Sequence, residues 1–211
     1  MSRSLGGRNR WRRVALAAIC VLAQLTGPTA ADAGAPQQGW AESAGLNGLV
    51  IRDKGHDLGD ISDRMQIVEL LARWGIAYDE ARADLVADLF TTDASLTALA
   101  GPQRIEEVHG RNAIVASVRN ASRRQGDQRR HLISNIVINE LHAGEADVNA
   151  YGLVGVAGDS VVLGATVFYR AHARKDPDGV WRFSKFTIGV DQYSNGSAPP
   201  SGRAADKAKT P

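Results

Sequence analysis

The chain has 211 residues, a formal net charge of +2 and a single cysteine. That length fits one domain plus appendages, because single domains commonly run to roughly 100–200 residues, and it is enough to bury a sizeable core. The charge is uneven: Arg3, Arg8, Arg10, Arg12 and Arg13 precede the first apolar run, and the remainder is slightly acidic. No basic face therefore argues for a nucleic-acid partner. Cys20 lies in the leader, so a processed chain would have no disulfide, thiol nucleophile or cysteine metal site.

Residues 1–33 read as a secretory signal peptide. A basic segment precedes the apolar run Val14–Leu25, and Ala31-Asp32-Ala33 offers a small-residue cleavage site. The run is short for a membrane span, which takes about 20 residues. An exported, periplasmic or secreted protein is expected, with no membrane span in its mature form. Residues 34–59 read as a linker or loosely packed arm.

A helix is expected from Asp60, where Asp60, Ser62 and Asp63 offer capping side chains. Ile67, Leu71, Trp74 and Tyr78 form one stripe at intervals of four, three and four residues. Asp79 lies beside that stripe, after the small residues Ala72 and Gly75. Two readings stand: a carboxylate with room for a ligand, or a solvated helix-end acid. A short helix over Asp84–Phe90 follows, capped by Asp84. Strands are expected at Ser95–Ala100 and Arg104–His109 around Gly101-Pro102, and a helix over Gly110–Arg124.

From Arg129 the period changes to two. Four strands fit, Arg129–Leu141, Glu145–Val156, Ser160–Arg174 and Val180–Gln192, joined by short turns and so antiparallel. Helices followed by a meander give an α+β domain with the helices on one face of a curved sheet. Residues 194–211 are polar and rich in Pro, Gly, Ala and Lys, the composition of a disordered tail.

On the first of these strands, alternation puts Arg129, His131, Ile133, Asn135 and Val137 on one face and Arg130, Leu132, Ile136 and Ile138 on the other. The first set mixes apolar and polar groups, as a partly wet pocket or an edge strand of mixed exposure would. Imidazole has an unperturbed pKa near ~6.5 and takes up a proton near neutrality. A carboxylate on its other nitrogen fixes the tautomer and stabilises the imidazolium. With no Ser, Cys or metal motif beside it, an Asp79–His131 pair suits proton abstraction, leading to elimination, isomerisation or ring closure, with no metal or other cofactor. Phe90, Phe168 and Tyr169 are pocket wall or core, and Asn135 shares the His131 face.

The ordered pieces W-x-x-x-Y-D, D-L-F-T-x-D-A, G-R-x-A-I, R-x-H-x-x-S-N and D-G-V-W-R-F-S-K resemble the SnoaL-like branch of the NTF2-like superfamily over about residues 60–193. The resemblance implies a cone in which helices are wrapped by a strongly curved, mostly antiparallel sheet around an apolar pocket. Within that branch the chain looks closest to the scytalone dehydratase and hexachlorocyclohexane dehydrochlorinase group. This implies an Asp79–His131 dyad with Tyr78 activating the substrate, and a possible counterpart of a family arginine in Arg174. The dehydrochlorinase's helix lysine is not matched, because Trp74 stands there; Trp74 is expected among the substrate-binding residues. The expected activity is that of a lyase or isomerase acting on a small cyclic substrate, from a dimer or trimer. Relatives of this kind also include polyketide cyclases, non-catalytic subunits and plain binding proteins, so a binding or interaction module is the alternative.

Overall fold

The computed structural model describes residues 38–43, 45 and 58–193. The expected signal peptide, most of the arm and the tail lie outside them. Among the described residues, four helices and six strands follow in the order α1 (Trp40–Ser43), α2 (Leu58–Asp79), α3 (Ala83–Asp88), β1 (Phe90–Ala100), β2 (Gln103–His109), α4 (Arg111–Arg124), β3 (Gln128–His142), β4 (Glu145–Ala157), β5 (Val161–Lys175) and β6 (Trp181–Tyr193). The strands form one open, curved sheet in the order β2-β1-β6-β5-β4-β3. The expected meander is present, since β3 to β6 pair antiparallel in sequence order. What periodicity did not reveal is that β1 joins β6 in parallel, which places the β1–β2 pair at the other end of the sheet from β3.

Alternation sorts the sheet into two faces. Ala146, Val148, Ala150 and Val154 of β4, Val167, Tyr169 and Ala171 of β5, and Phe183, Phe186 and Ile188 of β6 turn inward to one core with Ile67, Leu71, Trp74 and Tyr78 of α2. The outer face carries Phe168 and Leu99, on which Trp40 and Ala41 of α1 pack. The α1 indole N–H donates to Asp191 Oδ1 at 2.5 Å, which ties this short helix to the outside of the sheet.

Helix α2 begins at Leu58, two residues before the expected start, and ends where the expected active carboxylate stands. Its stop is a Schellman-type turn: Arg82 N–H donates to Ala77 O at 2.9 Å and Ala81 sits at φ +53°. Asp79 therefore occupies the last helical turn, and the chain swings away immediately after it. Helix α3 begins at Ala83. Its N-cap position is Arg82, with no side-chain cap. Asp84, expected as the cap, instead takes the Arg82 guanidinium at 2.8 and 2.5 Å. Strand β1 starts at Phe90, five residues before the expected Ser95. The pairing with β6 is irregular there, between Phe90 and Ser95. Among the described residues, no helix is long and apolar enough to cross a membrane.

Candidate functional site

The site rests on the crossing of α2 over β3. Gly75 makes this crossing close: a Cβ built there would lie 3.2 Å from His131 Cβ and 3.6 Å from both the His131 carbonyl oxygen and Ile133 Cδ1. The space that the small residues of α2 leave near Asp79 is thus taken by His131 itself. Ala72, the other small residue, faces solvent.

Strand β3 lies at the sheet edge, and an edge strand presents backbone groups that no neighbour satisfies. Asp79 uses this. Its Oδ2 accepts the His131 backbone N–H at 2.7 Å, and its Oδ1 contacts the His131 ring Nδ1. The helix-end carbonyl of Asp79 in turn accepts the Gln128 side-chain amide at 3.1 Å. The Asp79 and His131 side chains are 6% and 1% exposed, so water competes little for this pair. A carboxylate can only accept, so the neutral ring carries its proton on Nδ1 and keeps a lone pair on Nε2. Nε2 is buried without a hydrogen-bond partner. The Tyr78 ring stands edge-on to the imidazole, with centroids 5.3 Å apart, and Trp74 lies 5.6 Å from Tyr78.

The remaining expected site residues divide. Phe90 is fully buried and packs between Trp74 at 5.9 Å and Phe183 at 5.5 Å, as wall of this interior. Tyr169 is inward and buried, stacked on Phe186 at 5.7 Å with 3° between planes. Phe168, its chain neighbour, is necessarily on the opposite face, against Tyr151 and under α1, where it lines an outer groove of about 570 Å³. Arg174 lies in β5 one residue before its end, outside the cluster, and is held by Asp93 at 3.1 Å, which raises its already high pKa. Asn135 is exposed and sits at φ +51°. The β3–β4 register slips between Ser134 and Val137. This bulge inserts one extra residue and flips the strand's alternation. Asn135 consequently leaves the His131 face, and Ile136 and Ile138, expected on the other face, pack against the core.

Three further inward residues were not singled out from sequence. Phe186 stacks on both Phe183, at 4.4 Å, and Tyr169. Gly152 gives way to Tyr169: a Cβ there would fall 2.7 Å from its Cε2. Arg129 is 2% exposed and pairs through Nε with the nearly buried Asp127 at 3.0 Å. Period-two alternation did place Arg129 with His131, and that was the available signal. Among the described residues, no group of three or more His, Cys, Asp or Glu side chains is arranged to hold a metal ion.

Residues 59–187 match the SnoaL-like domain family. No curated protein is detectably similar in sequence. Several solved structures share the fold. An NTF2-like protein with a cystatin-like fold from Novosphingobium aromaticivorans superposes with a TM-score of 0.51 at 18% identity, over 65% of this chain and 92% of that one. A protein provisionally assigned as the β subunit of an aromatic-ring-hydroxylating dioxygenase, from the same species, gives 0.56 at 19%, over 64% and 93%. Aln2 from a Streptomyces species gives 0.55 at 23%, over 65% and 95%.

Proposed function

The chain belongs to the SnoaL-like domain family, with an NTF2-like fold, and from that footing we propose that it is a cofactor-independent lyase or isomerase. His131 is its general base, Asp79 orients that base, and Tyr78 polarises the substrate. The observation that carries this reading is the two-point grip of Asp79 on the His131 ring and backbone, with Nε2 left buried and unpaired. A ring held this way has one tautomer and one rotamer, so its basic nitrogen is aimed before substrate arrives. The apolar rings of Trp74, Phe90 and Phe186, which share one core with Tyr78, favour a small, largely apolar cyclic substrate of polyketide, aromatic or steroid-like type. The leader sequence supports export. Leu132, Tyr151 and Leu153, exposed on the outer sheet face, support assembly into a dimer or trimer.

Two simple probes test the reading: a cyclic β-hydroxyketone and a β,γ-unsaturated cyclic ketone, both of which yield a conjugated enone readable in the ultraviolet. Removing a general base costs about 10²–10⁴-fold, so His131→Gln should lose that much of the wild-type rate. Equal rates in the two proteins would take His131 out of the chemistry and leave the binding-module reading.

A further inference from the structure

Tyr169 carries a buried phenolic hydroxyl with no hydrogen-bond partner. A hydroxyl in that state costs stability, so its retention calls for an account. Three features of the fold aim it. Its ring stacks flat on Phe186, which fixes the plane. It lies across β4 at Gly152, where a Cβ would stand 2.7 Å from its Cε2 and 3.3 Å from its Oη. And Gly152 is the register partner of Ile133, just as Val154 is of His131. The ring thus leans from β5 over β4 toward the stretch of β3 that carries the imidazole.

We propose that Tyr169 is a catalytic residue that donates a hydrogen bond to the substrate's carbonyl oxygen as negative charge develops there. The inference rests on the reading of His131 as general base. It narrows the substrate to carbonyl compounds with an acidic C–H next to the carbonyl carbon. In the step, the His131 Nε2 lone pair takes the proton. The C–H electron pair becomes the enolate C=C, and the carbonyl π pair moves onto oxygen. Tyr169 keeps its proton and supplies the hydrogen bond. The imidazolium then returns its proton either to another carbon, giving isomerisation, or to a departing hydroxyl, which leaves as water. Burial, followed by the nearby Asp79 charge and Tyr78, pushes the Tyr169 pKa upward, so it stays a donor at every working pH.

A phenolate mimics the enolate oxygen, and para-nitrophenol reports its own ionisation by absorbance. Wild type should bind it as the phenolate. A hydrogen bond to a charged oxygen is worth about 10–100-fold in affinity, and Tyr169→Phe should lose that amount while binding nitrobenzene as wild type does. Gly152→Ala keeps the hydroxyl but displaces the ring, and should weaken phenolate binding in the same sense. Phenolate binding unchanged in Tyr169→Phe, or absent from wild type, would overturn the proposal. The base assignment fails separately: it is read from the His131 ring nitrogens, and Tyr169→Phe should leave their tautomer as in wild type.

Discussion

Replacing Gly75 by alanine sets two terms of opposite sign against each other. Alanine in a helix interior is favoured over glycine by about 1 kcal/mol. Against this, the new Cβ would stand 3.2 Å from His131 Cβ and 3.6 Å from the His131 carbonyl oxygen, where carbon–carbon contacts settle at about 3.5–4.0 Å. Either α2 or β3 must retreat by a few tenths of an ångström. An edge strand can move, but His131 is tied to Asp79 by its N–H at 2.7 Å and by its ring. The retreat therefore stretches that hydrogen bond toward the weak end near ~3.2 Å. Overpacking of this kind costs about 1–3 kcal/mol. The balance is a net destabilisation of about 1 kcal/mol, in spite of the better helix former. Urea unfolding with an unchanged slope would give the energy, and the His131 amide proton shift would report the weakened bond. A protein stabilised by about 1 kcal/mol, with the His131 amide unmoved, would refute the close crossing.

Three further substitutions probe the frame around the site. Ala81 ends α2 at φ +53°, a conformation that costs an ordinary residue about 1–2 kcal/mol, so Ala81→Gly should raise the midpoint of thermal unfolding; a lower midpoint would deny the strained turn. Asn135 occupies φ +51° at the bulge, and Asn135→Val should cost at least about 1–2 kcal/mol in denaturant titration because a β-branched residue adopts that region poorly; no loss would mean that the bulge is dispensable. Burial alone would raise the pKa of Asp63, but the Lys175 ammonium and the Trp181 indole N–H, at 2.8 and 2.9 Å, outweigh it and leave it below the usual carboxylate range. A depressed folded pKa means stability that is present above the unfolded value near ~3.9 and lost as pH falls through the folded one. Asp63→Asn should thus cost about 1–2 kcal/mol near neutrality, and its deficit against wild type should shrink below about pH 4. A deficit constant across that range would show that the Asp63 charge contributes nothing.

The strongly periodic parts of the chain were the legible ones. The stripe from Ile67 to Tyr78 and the two-residue period after Arg129 specify α2 and the meander because each buries one face and each turn is short. The parallel β1–β6 pairing was not legible, since it joins strands about ninety residues apart through no local signal. Asn135 shows the limit of alternation: the bulge moves Ile136 and Ile138 to the core face until a second slip between Ile138 and Glu140 brings Leu141 back to it, yet Ser134-Asn135-Ile136 contains no glycine or proline to announce it. Phe168 and Tyr169 are adjacent in a strand and so could not both line one pocket. Asp79 and His131 each looked ordinary in isolation. Their partnership depends on Gly75 and on the edge position of β3, which are tertiary facts.

The central claim is that Asp79 holds His131 with its proton on Nδ1 and its lone pair on Nε2. The ring-nitrogen NMR spectrum of His131, recorded in wild type and in Asp79→Asn, tests it most directly. The expected wild-type spectrum shows a protonated Nδ1 with a strongly hydrogen-bonded proton and a bare Nε2, and Asp79→Asn shifts the ring toward the other tautomer or a mixture of the two. A wild-type ring with its proton on Nε2, or a spectrum that the substitution leaves unchanged, would contradict the account.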